Sequence, residues 1–358
     1  MHYSSHLKRI KNFASSILFL CLAYFFYTKQ PYYRNFFNGS YNFPFLKSSI
    51  SIFWAFKCIF FAYSICLFLI YFIEKNPKTG KCIYALRALK KIFLSPIGTF
   101  EHGIPKEEKN GILAVLVKMF FTPLMILWFF GNSSKFIEHG TLLLQNKNLF
   151  LTDFVFLFTQ HLFWMIFNLI LFVDVLFFSL GYLIELPLFK NTILSVEPTL
   201  LGWIVTLICY PPFNFYANNA IPWKSTDFPY FSNPYLFLTI SIFILALMGI
   251  YSWASFSLGF KASNLTHRGI VKKWPYSMVR HPAYACKNLA WWLGGIPLMI
   301  QGIKEGLPSF LLVIISLSSW SFIYFLRALT EERHLKSVNS EYGQYTKKVP
   351  YRFVPFLI

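Results

Sequence analysis

Runs of about 20 apolar residues separated by short basic segments dominate the chain, and this period is the length that helical rise needs to cross roughly 30 Å of hydrocarbon. Such runs near 13–27, 49–73, 111–131, 234–258, 285–303 and 308–328 predict transmembrane helices. The stretch from Leu149 to Tyr210 is too long for one span and carries Asp153, His161, Asp174 and Glu185. Divided into spans at about 150–178 and 191–210, it stops at the Pro211-Pro212 pair. The fold class expected is therefore all-α, a polytopic integral membrane protein with about eight transmembrane helices.

Composition agrees with that pattern. Of 358 residues, 56% are apolar and 13% charged, against about 25% charged in an ordinary soluble domain, which excludes a water-soluble globule. The net charge of +19 is gathered between the apolar runs, so it reads as topology under the positive-inside rule rather than as a nucleic-acid surface. Lys75, Lys78, Lys81, Arg87, Lys90, Lys91, Lys106 and Lys109 crowd the 74–110 segment, whereas only Lys135 and Lys147 follow the third span. The 74–110 loop is thus expected on the cytoplasmic side, and eight spans place both termini there too. Within it, Cys82 to Phe93 has apolar residues at helical spacing and is expected in the headgroup layer. The cysteines have no paired metal spacing and read as small hydrophobes; no metal is expected. The N-terminal run has no cleavage signal after Tyr27 and is expected to remain as a first span. The organisation expected is an N-terminal helical region over 1–230 holding five spans, followed by a C-terminal core over 231–358.

Polar residues of definite pattern collect in that core. One cluster runs from Ser263 through His267 and Arg268 to Tyr276, Arg280, His281, Pro282 and Tyr284. A second is Arg327 to Leu335, containing Glu331 and Glu332, and a third is Glu341 to Tyr345 leading to Val349-Pro350-Tyr351-Arg352-Phe353-Val354-Pro355. Between the first two lies a helical hairpin with its turn at Gln301 to Leu307, which brings Arg280-His281 and Glu331-Glu332 to one membrane face.

The Arg-His-Pro-x-Tyr element at 280–284, the apolar hairpin, the Glu331-Glu332 pair and the Tyr342 to Pro355 tail resemble the C-terminal signature of the isoprenylcysteine carboxyl methyltransferase and phospholipid N-methyltransferase superfamily. The likeness covers roughly 234–358. It implies S-adenosylmethionine as cofactor, methyl transfer to a lipid-like or prenylated acceptor (a carboxylate or an amine), and a cytoplasmic cofactor site formed by the C-terminal segments. Arg280, His281 and Glu332 are the catalytic candidates it implies. The residue types suit such a ligand: Arg280 would fork onto its carboxylate, Glu331 or Glu332 would accept from its ammonium or ribose, and Tyr284 or Tyr276 would face the adenine or sulfonium. His281 would orient the cofactor, and Tyr345 belongs to a tail expected to lie over the site as a lid that excludes water.

Other readings compete. Arg280 and His281 are also what a helix start needs for snorkelling, and Arg327 with Glu331 has the spacing of an ordinary helix-surface pair. Trp291-Trp292 suits interface packing, and Asn288, one turn beyond Tyr284, is a candidate pocket residue. His161 and Asp174 are ionisable groups at membrane depth, a costly placement, and suit either an acceptor cavity or an inter-helix hydrogen bond. The tail is also similar to that of sterol reductases, which keeps an oxidoreductase using NADPH as the alternative enzyme; a transporter or structural membrane protein is the third class. The expected location is a multi-pass position in a bacterial inner membrane or an endoplasmic-reticulum-type membrane.

Overall fold

The computed structural model describes residues 2–43, 48–73, 78–96 and 103–357; residues 74–77 and 97–102 of the basic 74–110 loop lie outside them. The chain is mostly helical. Helix α1 is His2–Lys29, α2 Pro31–Phe37, α3 Ile52–Ile73, α4 Lys81–Leu94 and α5 Lys106–Gln145. Helical turns at Leu149–Thr152 and Phe154–Leu157 and a π-turn at Phe158–Leu162 lead into α6, Phe163–Leu183. Then come α7 Leu200–Leu207, α8 Phe213–Ala220, α9 Pro234–Leu258, α10 Pro282–Glu305, α11 Leu307–Val338 and α12 Ser340–Lys348. Two antiparallel pairs of short strands complete it: β1 Ser40–Phe43 with β2 Ser48–Ser51, and β3 Ser195–Val196 with β4 Thr266–His267.

Among the described residues six helical segments are long and apolar enough to cross a membrane: Ser5–Lys29, Ile52–Ile73, Lys106–Gln145, Phe154–Leu183, Pro234–Lys261 and Leu307–Val338. This is a multi-pass membrane protein. Five of the six cover runs expected from the sequence, and the sixth begins with the 150–178 run. The 285–303 run lies in α10, whose 24 residues also suffice at 1.5 Å each. Helix α11 continues ten residues past the expected end of its span, so Glu331, Glu332 and His334 ride on a continuous extension of a membrane helix rather than on a loop.

The 191–210 stretch departs from expectation. It holds β3 and the eight-residue α7, too short to cross alone. Yet α6 and α9 run parallel: along both helices the order is kept, Phe158 beside Phe237, Asp174 beside Tyr251 and Ser255, Phe177 beside Phe256. The chain between them must therefore return, and it does so over 200–233 as two short helices joined by irregular backbone. Irregular backbone at that depth is tolerable only where protein satisfies it. Here Tyr33 Oη donates to the Pro211 carbonyl (3.0 Å), Trp320 Nε1 to Ile221 (3.2 Å) and Ser316 Oγ to Pro222 (2.6 Å). Ser225 in turn donates to Trp291 O at 2.7 Å. Gly294 permits this approach, because a Cβ there would overlap the Thr226 carbonyl. The 213–232 segment thus packs on α10 and α11 through Pro222, Trp223 and Ser225, while most of its residues stay exposed.

The amphipathic α4 packs Ala85 and Ala88, both fully buried, against the bundle and exposes Phe93 and Leu94 at its end. Its first turn is tied down by charge. Lys81 and Lys118 both bond Glu185, the latter at 2.5 Å. Burial raises the Glu185 carboxyl, but the two ammonium groups outweigh it and hold it far below the ordinary carboxylate range.

Candidate functional site

Pro282 starts α10 and Gly306, at φ 119°, turns it into α11, so the hairpin expected from the sequence forms. At its open end the β3–β4 pair and the Gly181–Ala262 contact draw in the segment after α9. A Cβ at Gly181 would strike the Ala262 carbonyl, which is why this close crossing needs glycine. Beside it Arg268 Nη1 donates to the carbonyls of Gly181 (2.6 Å) and Asn191 (3.0 Å). A cavity of about 210 Å³ results, lined from α9, the 261–284 segment, α10, α11 and α12.

Of the site residues expected from the sequence, Arg280, His281, Tyr284, Tyr276, Glu331 and Tyr345 line this cavity, and Glu332 does not. Glu332 is 2% exposed and lies behind the wall as the hub of a charge network. Its Oε1 accepts from Arg280 Nε (2.8 Å) and Arg352 Nε (3.2 Å), and lies 3.3 Å from His281 Nε2; Lys336 Nζ is 3.9 Å from Oε2. Glu332, expected from the sequence to meet a ligand, thus stands behind the cavity wall, engaged with Arg280 and Arg352. Arg280, which lines the cavity, is also engaged within the protein: its Nη1 donates to the carbonyls of Val349 (2.9 Å) and Pro350 (2.6 Å), so Nε and Nη1 both have protein partners. His281 sits between the glutamates, its Nδ1 3.7 Å from Glu331 Oε2, and stacks on Tyr284 at 5.4 Å. Tyr284 Oη donates to Glu331 Oε1.

The tail is a wall as well. Arg280 N donates to Tyr351 O (3.0 Å) and His281 N to Arg352 O (2.8 Å), while Tyr342, Tyr345 and Val349 bury together against Ile270 and Leu335. Tyr345 Oη donates to Tyr276 O at 2.7 Å, and burial pushes its phenol up to about 12. The tail expected as a lid is thus packed into the cavity's wall. Helix α12 ends at Lys348, before Pro350.

The charged centre that sequence reasoning misplaced is Arg327. It does not pair with Glu331. Only 2% exposed, it donates Nη2 to Asn264 Oδ1 at 3.1 Å and leaves Nε without a hydrogen-bond partner. Its guanidinium lies 4.9 Å from the Tyr284 ring centroid, 5.1 Å from Tyr324 and 5.8 Å from Tyr210. Lys287 Nζ approaches the same nest, 5.3 Å from Trp291 and 5.8 Å from Tyr324. Among the described residues no carboxylate oxygen comes within 4.0 Å of either cation. Cations in so dry a place cost several kcal/mol unless an anion answers them, and both line the cavity. The rule that drew attention to His161 and Asp174, an ionisable group within a membrane helix, applies equally to Arg327 and would have found it.

Asp174 does form an inter-helix bond, accepting from Tyr251 Oη (2.7 Å) and Ser255 Oγ; Tyr251 and Ser255 themselves line the cavity. His161 is far from it in the fold, with its ring 6.2 Å from that of His139. His267 and His334, both buried, also line the cavity, His334 Nε2 lying 3.0 Å from Ser195 Oγ.

A second opening of about 450 Å³ lies between α10 and α11 under Phe353 and Val354. It is a largely apolar groove, and it shares Tyr284 and Tyr324 with the charged cavity. These features define a multi-pass helical membrane protein with a polar cavity and an apolar groove set back to back. Comparison with protein-family models, with curated proteins and with solved structures gives no match to this chain.

Proposed function

We propose that the protein is an integral membrane methyltransferase that moves a methyl group from S-adenosylmethionine to a lipid-like acceptor, with both termini and the charged cavity on the cytoplasmic side. The observation that carries this reading is the pair of tyrosines common to both openings, because a charged cofactor and an apolar acceptor need separate entrances that meet at one point. S-adenosylmethionine, when bound, supplies an electrophilic methyl on a sulfonium. The donor set suits it: the cations Arg327 and Lys287 lining the cavity are a place for its carboxylate, Glu331 or Glu197 for its ammonium or ribose, and Tyr284, Tyr324 and Tyr210 present ring faces of the kind that receive a sulfonium. His281 and Glu332 hold Arg280 and the tail, so their contribution is to keep the cavity shaped and dry.

A second reading has one observation in its favour. Five full cations line the cavity (Lys261, Arg268, Arg280, Lys287 and Arg327) against two carboxylates, Glu197 and Glu331. That surplus suits the phosphates of NADPH and a reductase. Calorimetric titration of the purified protein with S-adenosylmethionine, S-adenosylhomocysteine and NADPH in separate runs decides between them. Binding of the two sulfur ligands is the expected result, and binding of NADPH alone overturns the methyltransferase reading.

A further inference from the structure

Helix α4 turns two cations and two large apolar side chains away from the bundle. Its 14 residues, about 21 Å at helical rise, lie between the spans α3 and α5 and are too few to cross, so α4 stays on one membrane face. Most of its apolar side is already used: Cys82, Ala85, Leu86 and Leu89 pack with Phe19 of α1 and Val115 of α5. Charge and close approach fix the orientation. Lys81 bonds Glu185 and Lys91 bonds Glu108 at 2.9 Å, and a Cβ at Gly111 would overlap Tyr84 and the Lys81 carbonyl. Left outward are Arg87, Lys90 and Leu94, at i, i+3 and i+7 along one face, with Phe93 beside them. Arg87 and Lys90 are exposed, and Phe93 and Leu94 are 80% and 72% exposed. Helix α4 contains no Asp or Glu, and among the described residues no carboxylate oxygen comes within 4.0 Å of Arg87 or Lys90.

From this arrangement we infer that α4 is a docking surface for anionic phospholipid, whose headgroup phosphates meet Arg87 and Lys90 while Phe93 and Leu94 enter the acyl boundary. Charge complementarity commits the face to an acidic partner, and the apolar pair commits it to a lipid. A soluble acidic partner would answer the cations and leave Phe93 and Leu94 in water. A zwitterionic bilayer would take the apolar pair but offers the cations no net charge. Long cationic side chains next to an apolar end are what a helix at headgroup level presents, and each Lys or Arg near an acidic leaflet strengthens association on the order of fivefold. The inference needs neither the methyl-transfer reading nor a cofactor.

The test uses the full chain in nanodiscs of equimolar phosphatidylglycerol and phosphatidylcholine with identical acyl chains, counting by native mass spectrometry the lipids that stay bound on release. Phosphatidylglycerol should be enriched about fivefold or more, and Arg87→Gln with Lys90→Gln should remove most of that enrichment. Lys347→Gln with Lys348→Gln makes the same charge change at the exposed end of α12 and should keep it. Equal retention of the two lipids overturns the inference, as does unchanged enrichment in the α4 variant or an equal loss in the α12 variant, which would reduce the effect to net charge. A second arm reads position: the fluorescence of Leu94→Trp, taken as the difference from the parent, should be quenched more by phosphatidylglycerol brominated on its acyl chains than by phosphatidylcholine brominated in the same way. Equal quenching by both, or quenching by neither, overturns the docking. Glycerophosphoglycerol, the headgroup without chains, should leave the quenching unchanged when added in excess; a decrease would assign the face to free phosphate anions and overturn the lipid.

Discussion

The rings of Tyr284 and Tyr324 meet edge to face with centroids 5.2 Å apart, and each belongs to the wall of both the charged cavity and the apolar groove. Edge-to-face rings of this kind hold one another in place, so these two aromatic side chains form a shared wall between the openings. Tyr324→Ala should join the openings and admit water, lowering affinity for S-adenosylhomocysteine about tenfold, whereas Tyr324→Phe keeps the wall and the affinity. Calorimetry on both variants reads this, and parental binding by the alanine variant would remove the partition from the argument.

Arg327 and Arg280 should separate in a way that the sequence alone would not foresee. Arg327→Met removes a buried cation that no acid answers, so the melting temperature should hold or rise while cofactor affinity falls on the order of tenfold to a hundredfold. Arg280→Met strips Glu332 of its closest partner and should cost about 3 kcal/mol or more of stability. Thermal unfolding in detergent beside ligand titration reads both. A destabilised Arg327→Met with normal affinity would return that residue to a structural role.

His267 sets an acid limit. Burial first, then the charges of His334 and Lys261, hold its imidazole below the ordinary value, while Gly269 N and Asn339 Nδ2 lie 3.3 and 3.2 Å from its two ring nitrogens. The folded state therefore binds fewer protons here than the unfolded chain once the pH falls through about 6.5. The stabilisation is complete above that value and is lost as pH drops towards the depressed folded pKa. Melting temperature measured from neutral to mildly acidic pH should decline, and His267→Asn should flatten the decline. An identical slope in that variant would assign the effect to another group.

Glu185 joins α4 to the bundle through Lys81 and Lys118. Glu185→Gln leaves two cations facing each other and should cost about 3 to 5 kcal/mol, seen first as faster proteolysis near α4. Lys81→Met in the same background should recover part of the loss; no recovery would mean that the two lysines do not oppose each other.

Truncation after Gly343 removes Tyr345 and the Val349, Pro350, Tyr351 and Arg352 carbonyls that engage Arg280 and His281. A tail built into the wall predicts loss of thermal stability together with loss of ligand binding. A truncated protein that melts like the parent but binds no ligand would instead show a separable lid.

The sequence alone carried what depends on counting: an apolar period matched to bilayer thickness, the basic 74–110 segment, the α10–α11 hairpin, and the clustering of Arg280, His281, Tyr284 and Glu331 at one end of it. These were legible because span length and turn residues act locally. The path of residues 200–233 was not, since 191–210 has the composition of a helix, and only the parallel packing of α6 and α9 requires the chain to return, with Tyr33, Ser316 and Trp320 donating to carbonyls of the broken backbone. Nor could spacing tell which cation is answered. Arg280 and Glu332 lie 52 residues apart yet neutralise each other, whereas Arg327 and Glu331 are four apart and do not, because His281 and Tyr284 hold the Glu331 carboxylate and Arg327 turns inward among tyrosines. Charge compensation is a property of distance in three dimensions, and it was the tertiary structure that decided which arginine is paired with a carboxylate.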